Sequence, residues 1–163
     1  MKSLRQIVLS ALLTIGLFSA VTYTACKKGG CTTDCKNGGS CYNNACSCPT
    51  GFEGAFCQTA SRDKFIGVFT GTDSCSNGYS SYQVTLTALS DSLRFNIANI
   101  NGNSAYAATA TITAPNAFSF AGSSFGSNYS GTGKLSNDSL ILSYHVQFDT
   151  TSYSCVFGGK QHG

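Results

Sequence analysis

The sequence predicts a small disulfide-rich module followed by an all-β antiparallel meander of about eight strands, barrel-like in closure, with a two-sheet β-sandwich as the alternative. Three observations carry this. Six of the nine cysteines fall between residues 31 and 57, with the spacing Cys31-x3-Cys35-x5-Cys41-x4-Cys46-x1-Cys48-x8-Cys57. From Lys64 onward, apolar residues recur at every second position, the period of half-buried strands. Gly, Asn, Asp and Pro interrupt that alternation at short intervals, and no stretch has a helical period.

The amino terminus reads as an export signal. Lys2 and Arg5 precede an apolar run over residues 7 to 18, followed by the small and polar Ser19, Ala20, Thr22, Thr24 and Ala25. The run is too short to span a bilayer comfortably. Thr24-Ala25-Cys26 resembles the end of a bacterial lipobox, departing from it at Tyr23, where the family usually has Leu. The resemblance implies a lipoprotein: a signal peptide over 1–25, cleavage before Cys26, and acylation of that cysteine by diacylglycerol and palmitate-like chains. Each buried methylene would contribute about 0.8 kcal/mol, so Cys26 would anchor the chain to a membrane through a tether over 26–30. Cysteine arithmetic points the same way, because nine is odd and removing Cys26 leaves eight. The alternative is ordinary cleavage nearby, with Cys26 free or paired. Lys27, rather than Asp, follows the cysteine, as in lipoproteins sent on to the outer membrane; the expected location is the cell envelope.

Residues 31–57 are too few to bury a core. Their bulky apolar side chains are Tyr42, Phe52 and Phe56, so three disulfides at roughly 3 kcal/mol each must supply most of the stability, in an oxidising compartment. Six cysteines allow fifteen pairings, and spacing alone does not choose among them. Cys35-Lys36-Asn37-Gly38-Gly39-Ser40-Cys41 and Cys46-Ser47-Cys48-Pro49-Thr50-Gly51-Phe52-Glu53-Gly54-Ala55-Phe56-Cys57 resemble an epidermal-growth-factor-like module over its whole length. That resemblance implies Cys31 to Cys41, Cys35 to Cys46 and Cys48 to Cys57. No metal is expected: Cys46-x-Cys48 without a nearby His is a poor zinc set. The oxygen ligands that calcium-binding members of the family carry ahead of the first cysteine are replaced here by Lys27, Lys28, Gly29 and Gly30.

Residues 58–64 read as a linker, 65–158 as the β-domain and 159–163 as a tail. The longer strands are marked by Tyr82, Val84, Leu86 and Ala88, by Leu93, Phe95 and Ile97, by Tyr106, Ala108, Ala110 and Ile112, and by Leu140, Leu142, Tyr144, Val146 and Phe148. Shorter candidates lie at 65–71, 118–121, 129–135 and 152–157. Ser76-Asn77-Gly78, Asn101-Gly102-Asn103, Ala114-Pro115-Asn116 and Ser136-Asn137-Asp138 supply turns. Phe65-Ile-Gly-Val-Phe-Thr-Gly71, followed by Cys75 and by Cys155 in the last strand, resembles small lipocalin-like domains of bacterial lipoproteins. Cys75 and Cys155 are left over from the module, and a bond between them requires that the first and last strands meet.

Catalytic chemistry is not written into the chain. Of seven carboxylates, Asp73, Asp91, Asp138 and Asp149 lie at predicted turns or strand ends, and no pair is spaced for acid and base roles. His145 falls on the strand face opposite Leu142 and Tyr144, toward solvent. Residues 121–130 read as a flexible Ser- and Gly-rich loop, without the Lys-Ser or Lys-Thr of a phosphate cradle. Asp91-Ser92-Leu93, Asp138-Ser139-Leu140 and Asp149-Thr150-Thr151 resemble a short bacterial O-glycosylation sequon. The net charge of +3 comes largely from the export segment, and no basic patch with interleaved aromatics suggests nucleic acid. The expectation is a non-catalytic envelope protein without a cofactor. Its β-domain would bind a protein, a glycan or a small apolar ligand, with contact area from Phe95, Phe118, Phe120 and Tyr144. The alternative is a hydrolytic or other enzyme assembled around His145.

Overall fold

The computed structural model describes residues 31–162. Cys26, the export segment and the tether lie outside the described residues. The module holds Cys31–Cys41, Cys35–Cys46 and Cys48–Cys57, the pairing implied by its resemblance. It carries two short hairpins, β1 (Ser40–Tyr42) with β2 (Ala45–Ser47), and β3 (Phe52–Glu53) with β4 (Thr59–Ala60). The first turns through Asn43-Asn44, both at positive φ, which Asn enters at low cost. The span read as a linker is structured: it contains β4 and the start of a 3-10 turn, Asp63–Phe65, that leads directly into the barrel.

Eight strands follow: β5 (Gly67–Cys75), β6 (Gly78–Ala88), β7 (Arg94–Ala98), β8 (Ala107–Ala114), β9 (Ala117–Ser124), β10 (Ser127–Ser136), β11 (Ser139–Phe148) and β12 (Thr151–Gln161). Each pairs antiparallel with the next, and β12 returns to β5, so the sheet closes into a barrel rather than splitting into a sandwich. Closure leaves no strand edge open to another chain. The seam runs from Cys155 opposite Cys75 to Gln161 opposite Phe69, carrying β12 into the residues read as a tail. Its first pair is the Cys75–Cys155 disulfide.

The inward positions are those that the alternation marks. Val84, Leu86, Phe95, Ile97, Ala108, Ala110, Ile112, Leu140, Leu142 and Val146 are buried in one core. At the end nearer the module, Phe65 enters from the 3-10 turn and closes the interior. Its ring stacks on Phe95 at 5.7 Å and meets Phe118 edge-on at 5.1 Å, both distances favourable for aromatic pairs. The module is docked on this near end. Arg62 donates to the Leu89 carbonyl at 2.5 Å, Lys64 pairs with Glu53 at 2.6 Å and also donates to Asn116 at 3.0 Å. A Cβ on Gly51, whose φ is +94°, would run into Leu93.

Residues 121–130 are not a flexible loop. β9 runs on to Ser124, β10 starts at Ser127, and only Phe125-Gly126 lies between. The reason is local packing: the inward position at Gly122 has no side chain because the Tyr129 ring fills that space, so the apolar alternation vanishes while the strand persists.

Candidate functional site at the far end of the barrel

The end of the barrel away from the module differs in chemistry from the near end. Its interior is built on Asp73, which sits within β5 rather than at a turn and is fully buried. Phe69, Gly71 and Asp73 share the inward parity of β5, so reading the strand only to Gly71 hid the carboxylate. Asp73 Oδ2 accepts hydrogen bonds from Tyr82, at 2.6 Å, and from Tyr144; Oδ1 finds no donor among the described residues. Burial, and then the hydrogen bond to Asp73, push both phenols above the usual tyrosine range. Asn101, in the loop between β7 and β8, donates to the Tyr153 hydroxyl at 3.0 Å. Tyr129 accepts from the Ala107 amide at 3.0 Å, donates to its carbonyl at 2.7 Å, and stacks on Tyr106, whose hydroxyl meets Ser127. The far interior is thus filled by hydrogen-bonded phenols, where the near interior is filled by phenyl rings.

Above this layer is the rim. The tip of the β9–β10 hairpin is Phe125-Gly126, with φ of 48° and 76°, the two positive values of a type I′ turn. The β10–β11 turn, Asn137-Asp138, has the same form with residues suited to it. Phe125 is not suited: a bulky L residue in the left-handed region costs about 1 kcal/mol. Its ring gains no burial in exchange, being 79% exposed. Phe148, opposite Ser127 at the end of β11, is 54% exposed, and a Cβ on Gly126 would lie 3.6 Å from its ring. Tyr79 stands further round the same end, 81% exposed. Asn77 and Asn103 in the far turns, and Asn128 and Gln147 on the outward side of the far strand ends, are also exposed.

Charge is almost absent here. Among the described residues of the far turns, Asp149 is the one that carries a charge at neutral pH. The described cations, Lys36, Arg62, Lys64, Arg94, Lys134 and Lys160, all lie in the module or the near half of the barrel; Lys134 is opposite Ala117 and Lys160 is opposite Ser139.

Other residues singled out in the sequence go elsewhere. Phe95, Phe118, Phe120 and Tyr144 are buried in the core and offer no contact surface, because inward parity commits them to filling a barrel this narrow. His145 is exposed on the outer wall beside Ser154, 2.9 Å from its hydroxyl, and forms no ion pair among the described residues. Ser92 and Ser139 are half-buried at the near end, and Thr150 is exposed at the far end. The sulfurs of Cys31, Cys35 and Cys46 cluster within 4.8 Å, as do Asp73, Cys75 and Cys155, but each of these sulfurs is held in a disulfide and has no thiolate to offer a metal. A cleft of about 240 Å³ separates Pro49 and Phe52 from Thr113 and Pro115, and a shallow one of about 310 Å³ lies on the outer wall by Thr70 and Lys160. Neither carries a convergent set of polar groups.

No known family model and no curated protein matches this chain. Its own geometry therefore supplies the functional argument.

Proposed function

We propose that this is a lipid-anchored, non-catalytic protein of the cell envelope that presents the far rim of its barrel to a binding partner. In this reading Cys26 holds the chain in the membrane, and the epidermal-growth-factor-like module is a rigid stand. The lipocalin-like barrel acts as a platform whose hairpin tips make contact. A filled interior favours recognition by the rim over enclosure of a ligand. The observation that carries the reading is Phe125, strained and exposed at once, in a turn position where Asn would be more stable.

The reading is testable without knowing the partner. Phe125→Asn should raise the thermal midpoint by a few degrees, the equivalent of about 1 kcal/mol of relieved strain. A lower midpoint would make Phe125 a structural residue and remove the support for rim recognition. The anchor is tested separately: Cys26→Ala should release the mature protein into the soluble fraction, and unchanged sedimentation with membranes would refute it.

A further inference from the structure

We propose that the rim around Phe125 and Phe148 is a binding site for an uncharged glycan, an assignment that rests on the rim-recognition reading above. Three observations narrow the occupant. First, the two rings are neighbours on adjacent hairpin tips, and both are exposed rather than packed together as a core. Ring faces of this kind stack on the C–H faces of sugars. Second, the polar side chains of these two tips are hydroxyls and carboxamides, Ser124 and Thr150 in the turns and Asn128 and Gln147 on the outward side of the strand ends, with Asp149 the one carboxylate beside them. Hydroxyls and carboxamides both donate and accept, as sugar hydroxyls do. Third, the six described cations are at the other end of the molecule, so the rim has nothing to pair with phosphate, sulfate or uronate, and it would not attract an anionic membrane or a nucleic acid.

A protein partner fits less well. The barrel has no open edge for an added strand, and the two rings form a small patch without the arginine or tryptophan common at the centre of protein interfaces. Rigid placement suits a glycan site, because the scaffold beneath the rim is tied by the Tyr129–Ala107 hydrogen bonds and by the Asp73–Tyr144 contact.

The test is affinity electrophoresis of the full mature protein, in a polyoxyethylene detergent that carries no sugar. The gels contain soluble neutral polysaccharides (glucan, mannan, xylan and galactan), with polygalacturonate as the acidic control. Retardation is expected in at least one neutral gel and not in polygalacturonate, and it should persist at high salt. The double variant Phe125→Asn/Phe148→Ser should weaken it about tenfold, the equivalent of roughly 1.4 kcal/mol of lost stacking. Tyr42→Ser, which removes an equally exposed ring from the module, should leave it unchanged. Migration unaffected by every neutral polysaccharide would overturn the proposal, as would equal retardation of the double variant. Binding of the native protein to phosphatidylcholine vesicles, or self-association, that the double variant abolishes would also overturn it, in favour of a lipid surface or a second copy. A stabilising Phe125→Asn with no glycan retention would sink the glycan assignment alone; a destabilising Phe125→Asn would sink the rim reading beneath it.

Discussion

The disulfide between Cys75 and Cys155 joins the first and last strands of the barrel across 80 residues of chain, so its removal has a calculable consequence. Constraining a loop of that length lowers the entropy of the unfolded chain by an amount equivalent to about 4 to 5 kcal/mol at 25 °C. The folded barrel should survive the loss. Beyond the bond, the seam still pairs Val156 with Ser74 and continues to Gln161 with Phe69, and the inward residues of both strands remain buried. Cys75→Ala/Cys155→Ala should therefore preserve the far-ultraviolet circular dichroism of the native protein. It should lower the free energy of unfolding by about 4 kcal/mol, a large part of the 5 to 15 kcal/mol typical of a domain. In urea the midpoint should fall while the slope of the transition rises, because the unfolded chain without the clamp exposes more surface. A loss below about 1 kcal/mol with an unchanged slope would refute the argument, showing that the unfolded ensemble keeps these two strands together without the bond.

Three further outcomes are expected. Tyr82 and Tyr144 have folded-state pKa values raised above the unfolded value near 10, so their effect on stability is nil below that pH; above it the unfolded chain loses protons that the folded chain keeps. Stability should fall by about 1.4 kcal/mol per pH unit for the nearly fully buried Tyr144, with a smaller part from half-buried Tyr82, and Tyr144→Phe should flatten the slope; an unchanged alkaline slope in that variant would contradict the assignment. Gly122→Ala puts a methyl group into the Tyr129 ring, which its two hydrogen bonds to Ala107 hold in place, and should cost about 1 to 3 kcal/mol in denaturant titration; a neutral effect would mean that the ring is free to move. Chelator should leave the proteolysis pattern of the module unchanged, since the oxygen ligands expected ahead of Cys31 are missing, and a clear gain of protease resistance on adding calcium would overturn that.

The parts of the fold that were legible in the sequence are those where one physical requirement acts alone. Leu140, Leu142, Tyr144 and Val146 alternate because one side of β11 faces the core and the other faces water; Cys75 and Cys155 pair because a closed meander brings the first and last strands together. The far end was not legible, and the reasons are specific. Asp73 occupies an inward position that the period-two rule reserves for apolar residues, and it is tolerated there because Tyr82, on the neighbouring strand, and Tyr144, far along the chain, both donate to it. Gly122 and Ser127 break the alternation of their strands because Tyr129 fills the space beside one and Tyr106 hydrogen-bonds the other. These are solutions made between strands, which the apolar alternation along any one strand does not show. Phe125 is of a different kind, because its ring stays exposed and burial does not offset the strain: the turn would be better made with Asn, as it is at Asn43 and Asn137 in this same chain. A local rule broken with compensation marks packing, while a local rule broken without it points to a demand from outside the molecule. By that criterion Asp73, Gly122 and Ser127 belong to the architecture of the barrel, and the Phe125–Phe148 rim is where the proposed partner would bind.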